Sequence, residues 1–397
     1  MLTDVLYPDT VGGSGRVAYH LSHELSRKGH DVHITTRDTT RSLASVRNLD
    51  AGITIHRFKR PGGESLLPSV SEIGRSSVLV RHLRRDMNFD VAVIHQTLPA
   101  IGPILCGSAK GLPLMYVFHS PWHEEYLIKK AGYAGKLRPL DGSIAFFMKW
   151  AEKRMVLRAS RTVVLSRYMF EKLFELHRPR KDKISVIPGG VDLRRFQAPG
   201  QGKDFLKKAL GLPVDRKLLL TVRNLVPRMG IANLIDAVHQ SRILRDQVFL
   251  MIGGEGPLKA RFESMTEEYR LQECVRILGH IPEKDLPGLY QAADFFVLPT
   301  RELEGFGLVI LEAMASGTPV LGTPVGAIPE IIRPFDGRLL FEGTGWQEMR
   351  TKLEEVLIHA ELYRFDPQSC RRYVEENYSW KKMATAFEQE MIRMVNP

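Results

Sequence analysis

Apolar residues along this chain fall into short unbroken runs, separated by longer stretches in which they recur every three or four positions. In the first half, the runs at 31–36 (DVHITT), 52–58 (GITIHRF), 90–95 (DVAVIH), 113–119 (PLMYVFH), 161–165 (RTVVL) and 184–187 (ISVI) predict strands. Residues 14–28 predict a helix. Ala18, Leu21 and Leu25 share one face, Ser14 is placed to cap it and Gly29 to end it.

The second half repeats the alternation. Strands are predicted at 217–222 (KLLLTV), 248–252 (VFLMI), 275–278 (VRIL), 295–298 (FFVL) and 319–321 (PVL). Ile231, Leu234, Ile235 and Val238 form a helical stripe between the first two. Unbroken apolar strands alternating with amphipathic helices indicate parallel sheets covered on both faces, an α/β class. The Gly- and Pro-rich stretch at 188–203 (PGGVDLRRFQAPGQGK) lies between two complete patterns and marks the domain boundary. The expected organisation is 1–190, 191–378 and a terminal helix over 379–397 that packs back toward the N-terminal domain. Only Met1, Leu2 and Thr3 precede the first turn region, so the opening strand is either very short or the reading frame begins further upstream.

Composition adds little until charge is mapped. The 397 residues are 44% hydrophobic and 25% charged, enough apolar material for two cores. Three scattered cysteines form no CxxC pair and no zinc spacing, which fits a reduced, cytoplasmic chain. The first residues lack the basic start and long apolar run of a secretory signal, and no run of about 18 apolar residues suggests a membrane span. The net charge is +11, and residues 127–183 carry 15 Lys or Arg against 5 Asp or Glu. Phe146, Phe147 and Trp150 lie among these cations, so the segment reads either as a face for an anionic membrane surface or phosphorylated acceptor, or as a solvated surface over a core helix. No nucleic-acid module is present, so nucleic acid is not an expected partner.

The most specific motif is Glu304-Gly-Phe306-Gly307-Leu308-Val-Ile-Leu-Glu312. It follows a predicted strand and opens a predicted helix, which puts Glu304 in a loop at the carboxyl end of the sheet. Eight residues make roughly 2.2 helical turns, so Glu312 is expected about two turns into the helix, on a similar face. Glycines before a helix N-terminus suit a pyrophosphate, and a carboxylate can accept both hydroxyls of a ribose. The alternative is a capped helix with surface glutamates.

The run EGFGLVILEAMASGTPVLGTPVGAIPEII resembles the signature of the retaining GT-B glycosyltransferases numbered four, or glycosyl transferases group 1. Supporting resemblances are Pro188-Gly-Gly-Val-Asp192, Gly253-Gly-Glu-Gly-Pro257, and the glycine pair Gly12–Gly13 before a helix that Gly29-His-Asp-Val32 closes. The resemblance implies a GT-B fold: two doubly wound Rossmann-like domains facing a central cleft. It implies that Glu304 lies beside the transferred sugar, that Phe306, Gly307 and Leu308 meet sugar hydroxyls or phosphate, and that Glu312 holds the ribose. It implies too that the Gly13 amide faces the diphosphate, that His119 lies near the anomeric carbon, and that Leu278 and Gly279 lie against the nucleobase.

One departure matters. The family usually carries an Arg and a Lys after the first strand of the C-terminal domain, and these neutralise the departing diphosphate. Here Asn224 and Met229 occupy those positions, each preceded by an arginine. Arg223 and Arg228 are therefore expected to share the charge, with Arg228 the first choice.

The expected activity is transfer of a sugar from a nucleotide-diphosphate sugar to a sugar or lipid-linked acceptor hydroxyl. No cofactor or metal is expected, since no DxD-like carboxylate pair is evident. Competing readings are a nucleotide-sugar 2-epimerase of the same fold, a phosphorylase, and a non-catalytic nucleotide-sugar binder. The expected location is cytoplasmic, peripheral to the inner face of the membrane.

Overall fold

The computed structural model describes residues 1–9, 12–38, 46–49, 52–59, 67–134 and 138–396. The chain divides into two compact units. The first comprises Met1–Glu124, Pro139–Gly190 and Trp380–Pro397; the second comprises Glu125–Arg138 and Val191–Ser379.

In the first unit the described strands are β1 (Val32–Asp38), β2 (Val46–Asn48), β3 (Ile53–Lys59), β4 (Ala92–Ile94), β5 (Leu114–Phe118), β6 (Arg161–Val164) and β7 (Ile184–Val186). They form two runs, β1-β3-β2 and β4-β5-β6-β7. Leu2 joins the runs through parallel bridges to Thr35 and Ile94. The Leu2 amide donates to the Val93 carbonyl at 2.8 Å, and the His95 amide donates to the Leu2 carbonyl at 2.9 Å. Three residues thus occupy a central strand position that usually takes five or six. All pairings are parallel except β2 against β3. The apolar pattern had not indicated β2, because its three residues are all exposed and form an edge.

The helix Gly13–Arg27 buries Val17, Ala18, Leu21 and Leu25. Its N-cap is Gly12 and no side chain caps it. Ser14, expected to cap, lies inside the first turn, and its hydroxyl accepts a bond from Gln96 Nε2 at 3.2 Å. Gly29, with φ of 93°, ends the helix as expected. The helix Trp380–Val395 completes this unit. Trp380 stacks on His20 with ring centres 4.8 Å apart, and Glu388 pairs with Lys28 and His30 at 2.6 and 2.9 Å.

The second unit contains β8 (Lys217–Val222), β9 (Val248–Gly253), β10 (Val275–Gly279), β11 (Phe295–Leu298) and β12 (Val320–Gly322), in the order β10-β9-β8-β11-β12 and all parallel. This is the doubly wound order in which the chain starts centrally, moves to one edge and returns to the other side. β12 begins one residue later than the apolar run suggests. Pro319 has no N–H for the ladder, and only its carbonyl takes part, accepting from Phe296 at 2.9 Å. In the helix Ile231–His239, the stripe Ile231, Leu234, Ile235 and Val238 is fully buried. Truncating one such leucine would cost about 2–5 kcal/mol, because the surrounding core cannot close the void.

Candidate functional site

In the second unit, the motif residues gather at the carboxyl ends of the parallel strands. Residues 223–230 follow β8, residues 254–258 follow β9, and residues 299–307 follow β11. The turn after β9 packs directly on the loop after β8. The Arg223 amide donates to the Gly253 carbonyl at 3.0 Å and the Leu225 amide to the Glu255 carbonyl at 2.9 Å. A Cβ on Gly254, whose φ is 125°, would lie 1.8 Å from the Arg223 carbonyl oxygen. The glycine is therefore required by the chain itself, to let these two loops meet.

Arg223 occupies the centre of this arrangement. Its guanidinium donates to the Glu304 carboxylate, and its Nε and NH2 lie 3.3 and 2.8 Å from Met229 Sδ. The same Glu304 oxygen lies 3.5 Å from the Thr300 hydroxyl. Both partners are nearly buried, with side-chain exposures of 8% for Arg223 and 11% for Glu304. Arg228 is turned elsewhere: its NH1 donates to the Leu303 carbonyl at 2.8 Å, and its own carbonyl accepts from Arg301 at 2.8 Å. Asn224 is exposed. Of the two arginines flanking the substituted positions, Arg223 reaches the glutamate and covers the terminus of Met229, and Arg228 braces the backbone before Glu304.

Glu304 sits in a loop, as expected. Its carbonyl accepts from the Ala327 amide at 3.0 Å, which fixes the residue from below. The helix that follows is Leu308–Ala315, with Gly307 as its left-handed N-cap at φ of 92°. Because the helix starts only at Leu308, Glu312 is its fifth residue, little more than one turn in rather than two, and Glu304 is not on it. Glu312 is buried and accepts from the Tyr290 hydroxyl at 3.1 Å. Phe306 is buried with its ring edge-on to Tyr378, and Leu308 is half-buried. The first-turn amides of this helix have no intrahelical acceptor, which makes the segment 307–309 a natural anion cradle. Leu278 is half-buried on the edge strand β10, and the following Gly279 accepts from the Gly254 amide at 2.7 Å.

The first unit holds Gly13 and His119. Gly13 is the exposed first residue of its helix. The loop before that helix is organised by Gln96, which the sequence had not singled out. The Gln96 amide oxygen accepts from the Asp4 amide at 2.5 Å and the Val5 amide at 3.1 Å, while its nitrogen reaches Ser14. His119 follows β5 and its Nε2 lies 3.3 Å from Nδ1 of His95, which follows β4. Burial holds His119 down to about 4 and pushes His95 well below its ordinary value, with the neighbouring His119 adding to the effect. The rings are therefore neutral near pH 7. The chain after His119 is pinned by Glu152, which accepts from the Trp122 amide at 2.9 Å and bonds His177 Nε2 at 2.6 Å in full burial. No sequence signal marked Gln96, His95 or Tyr290, because each acts through a partner distant in the chain, and Thr300, four residues before Glu304, lies outside the recognised motif.

Among the described residues, no group of three or more His, Cys, Asp or Glu is arranged to hold a metal ion. No described helix is long and apolar enough to cross a membrane. In the basic segment, the helix Pro139–Arg158 leaves Leu140, Phe146, Phe147 and Leu157 exposed, beside exposed Lys149, Lys153, Arg154 and Arg158.

Comparison with known proteins identifies the family and the fold. Residues 11–195 fit the family model for Glycosyltransferase Family 4, and residues 202–380 fit the model for Glycosyl transferases group 1. The chain is 28% identical to a D-inositol 3-phosphate glycosyltransferase of Xylanimonas cellulosilytica, over 84% of this chain and 80% of that protein. It is 26% identical to an MMP alpha-(1→4)-mannosyltransferase of Mycolicibacterium hassiacum, over 94% and 92%. Among solved structures, the sucrose-phosphate synthase of Thermosynechococcus elongatus superposes with a TM-score of 0.80 at 21% identity, over 97% and 94% of the two chains. HepE of Anabaena, solved with UDP-glucose, superposes with a TM-score of 0.75 at 15% identity, over 99% and 98%. Two Rossmann-like units, the Glu304–Glu312 element at the carboxyl end of the second sheet, and family matches over both halves converge on one assignment: the chain belongs to glycosyltransferase family four and has the GT-B fold.

Proposed function

We propose that this glycosyltransferase uses a nucleoside-diphosphate sugar as donor, an acceptor hydroxyl as nucleophile, and retains the anomeric configuration without a metal. The observation that carries this reading is the Arg223–Glu304 pair at the head of the motif helix, with Met229 beside it. A guanidinium fixed at that point is available to the departing diphosphate, and preorganised charge of this kind is usually the largest catalytic contribution. We rank Arg223 ahead of Arg228, reversing the order expected from sequence, because Arg223 reaches the Glu304 carboxylate and Met229 Sδ, where the family usually has its lysine, whereas Arg228 turns to the backbone carbonyl of Leu303.

In this reading Glu312 binds the ribose, Leu278 lies against the base, and the amides of Gly13, Phe306, Gly307 and Leu308 meet phosphate or sugar. Arg228 supports the loop carrying Glu304. The bond between the anomeric carbon and the phosphate oxygen breaks, and the nucleoside diphosphate leaves with the electron pair. The acceptor oxygen forms the new bond on the same face, and its proton passes to a phosphate oxygen. Glu304 and His119 position the sugar, and neither is assigned as a covalent nucleophile. Relatives described as acting on phosphorylated acceptors and a structural neighbour solved with UDP-glucose support the substrate class. A screen of UDP-, GDP- and ADP-sugars for hydrolysis and transfer tests it. Proton NMR of the product then reads the anomeric configuration. Inversion would overturn the stereochemical part, and epimerised donor without acceptor would favour a 2-epimerase.

The acceptor fits cell-surface polysaccharide or glycolipid synthesis at the cytoplasmic face of a membrane. The support is the exposed face of Pro139–Arg158, where Phe146 is 74% and Leu140 70% exposed among four cations. Each basic residue near an anionic surface contributes about 1 kcal/mol, and exposed aromatics add shallow insertion. Sedimentation with anionic vesicles at low salt should capture the protein and high salt should release it. Equal binding to neutral vesicles, or none to anionic ones, would remove this attachment.

A further inference from the structure

The His95–His119 contact carries an asymmetry that decides which nitrogen of His119 bears its proton. His95 is 2% exposed, and its Nε2 is buried with no hydrogen-bond partner among the described residues. Its Nδ1 lies 3.3 Å from His119 Nε2, and the two rings are stacked at 24° with centres 5.5 Å apart. Two neutral imidazoles in this contact can share one proton in two ways. If His119 Nε2 donates, His95 Nδ1 must accept, and the proton of His95 then sits on its buried Nε2, where no acceptor meets it. If His95 Nδ1 donates, its buried Nε2 is only an unused lone pair. A buried donor left without an acceptor is the costlier of the two, since desolvation of the N–H is not offset.

We propose that His95 is a positioning residue that holds His119 as the Nδ1–H tautomer, so that His119 offers its substrate a hydrogen-bond donor rather than an acceptor. The inference rests on the reading that His119 meets the transferred sugar, and it deepens that reading by giving the contact a direction. The group it suits is a sugar hydroxyl oxygen with a lone pair turned toward the ring. A sugar presenting only a C–H there, as a deoxy sugar would, leaves the His119 proton unmatched. His95 therefore bears on donor choice without touching the donor.

The test begins with the unmodified protein, labelled with nitrogen-15 in its histidines. Long-range nitrogen–proton correlation spectra distinguish the two tautomers, and a His119→Ala variant assigns the resonances. The expected result is protonated Nδ1 and bare Nε2 at His119 near pH 7.5. In His95→Phe, which keeps a flat ring but no donor, His119 should move toward the Nε2–H form and donor turnover should fall about tenfold, the scale of one misdirected neutral hydrogen bond. In His95→Asn, whose amide can again donate, the Nδ1–H form and most of the turnover should return. An Nε2–H signal in the unmodified protein, or a His119 spectrum unchanged in folded His95→Phe, would overturn the proposal. If instead the tautomer behaves as expected but His119→Ala leaves turnover intact, the assignment of His119 to the sugar fails while the tautomer control stands.

Discussion

The motif loops of the second unit and the exposed surfaces of the first use glycine and charge in contrasting ways. In the second unit, motif glycines are wedged against backbone. A Cβ on Gly254 would sit 1.8 Å from the Arg223 carbonyl oxygen, and one on Gly230 would sit 1.8 Å from that of Pro299. In the first unit, Gly12 at the head of its helix would meet nothing within 4 Å. Charge follows the same division. Arg223 and Glu304 are paired and nearly buried. The cations of Pro139–Arg158 are exposed beside exposed apolar side chains. At these positions the second unit holds its own groups in fixed places, whereas the head of the first helix and the face of Pro139–Arg158 are open; elsewhere the first unit too buries charge, at Glu152–His177, and wedges a glycine, at Gly102, where a Cβ would lie 2.2 Å from the Ile73 carbonyl oxygen.

The largest effect that would sharpen this contrast is at Arg223. Arg223→Ala is expected to lower turnover by about two to three decades, the scale of removing one preorganised charge stabiliser, with a smaller loss in Arg228→Ala. Steady-state rates with the identified donor read both, and equal losses would remove the distinction drawn between the two arginines.

Glu312 and Glu304 should separate binding from chemistry. Glu312→Gln should weaken nucleoside diphosphate binding by roughly 1.5–3 kcal/mol in calorimetry, the worth of a charge-assisted hydrogen bond. Glu304→Gln should leave that affinity nearly intact and slow transfer. The opposite pattern would exchange their roles.

The glycine contrast is testable by stability alone. Gly254→Ala should destabilise the fold by about 2–4 kcal/mol, because the side chain must displace backbone at a left-handed position. Gly12→Ala should change stability by no more than about 0.5 kcal/mol and act, if at all, on turnover. Denaturant midpoints compare the two directly.

A smaller effect concerns pH. His56 and His119 are both held down to about 4, mainly by burial, so each is neutral when folded and gains a proton more readily when unfolded. Their contribution is full above the unfolded value of about 6.5 and is lost as pH falls from there toward 4. Thermal midpoints should drop across that window, and His56→Gln should flatten part of the drop. A midpoint independent of pH between 7 and 4 would contradict the buried neutral state.

These differences explain what could be read in the sequence. The second unit was legible almost to the residue, because its strands are unbroken apolar runs and its site is a contiguous motif. Spacing placed Glu304 in the loop after the strand and Gly307 before the helix, as the structure has them, while Glu312 lies nearer the helix start than spacing suggests, since Gly307 takes a left-handed cap and delays the first turn. The reach of Arg223 could not be read, because it depends on a side chain crossing from one strand end to another. In the first unit, the Gln96 and His95 contacts were invisible for the same reason, and β2 because its three residues are exposed and form no apolar run. Gln96 joins Asp4, Val5 and Ser14 across 92, 91 and 82 residues, and no local pattern records such a bond.

The central claim is that Arg223 supplies the charge that the family usually places on a lysine where this chain has Met229. Its most direct test is donor turnover in Arg223→Ala compared with Arg223→Ala/Met229→Lys. Met229 Sδ lies 2.8 Å from the guanidinium that would be removed, so a lysine there can bring an ammonium to nearly the same place. The account predicts a loss of about two to three decades in the single variant and recovery of most of it in the double. An Arg223→Ala enzyme with full turnover, or a folded double variant no faster than the single, would contradict it.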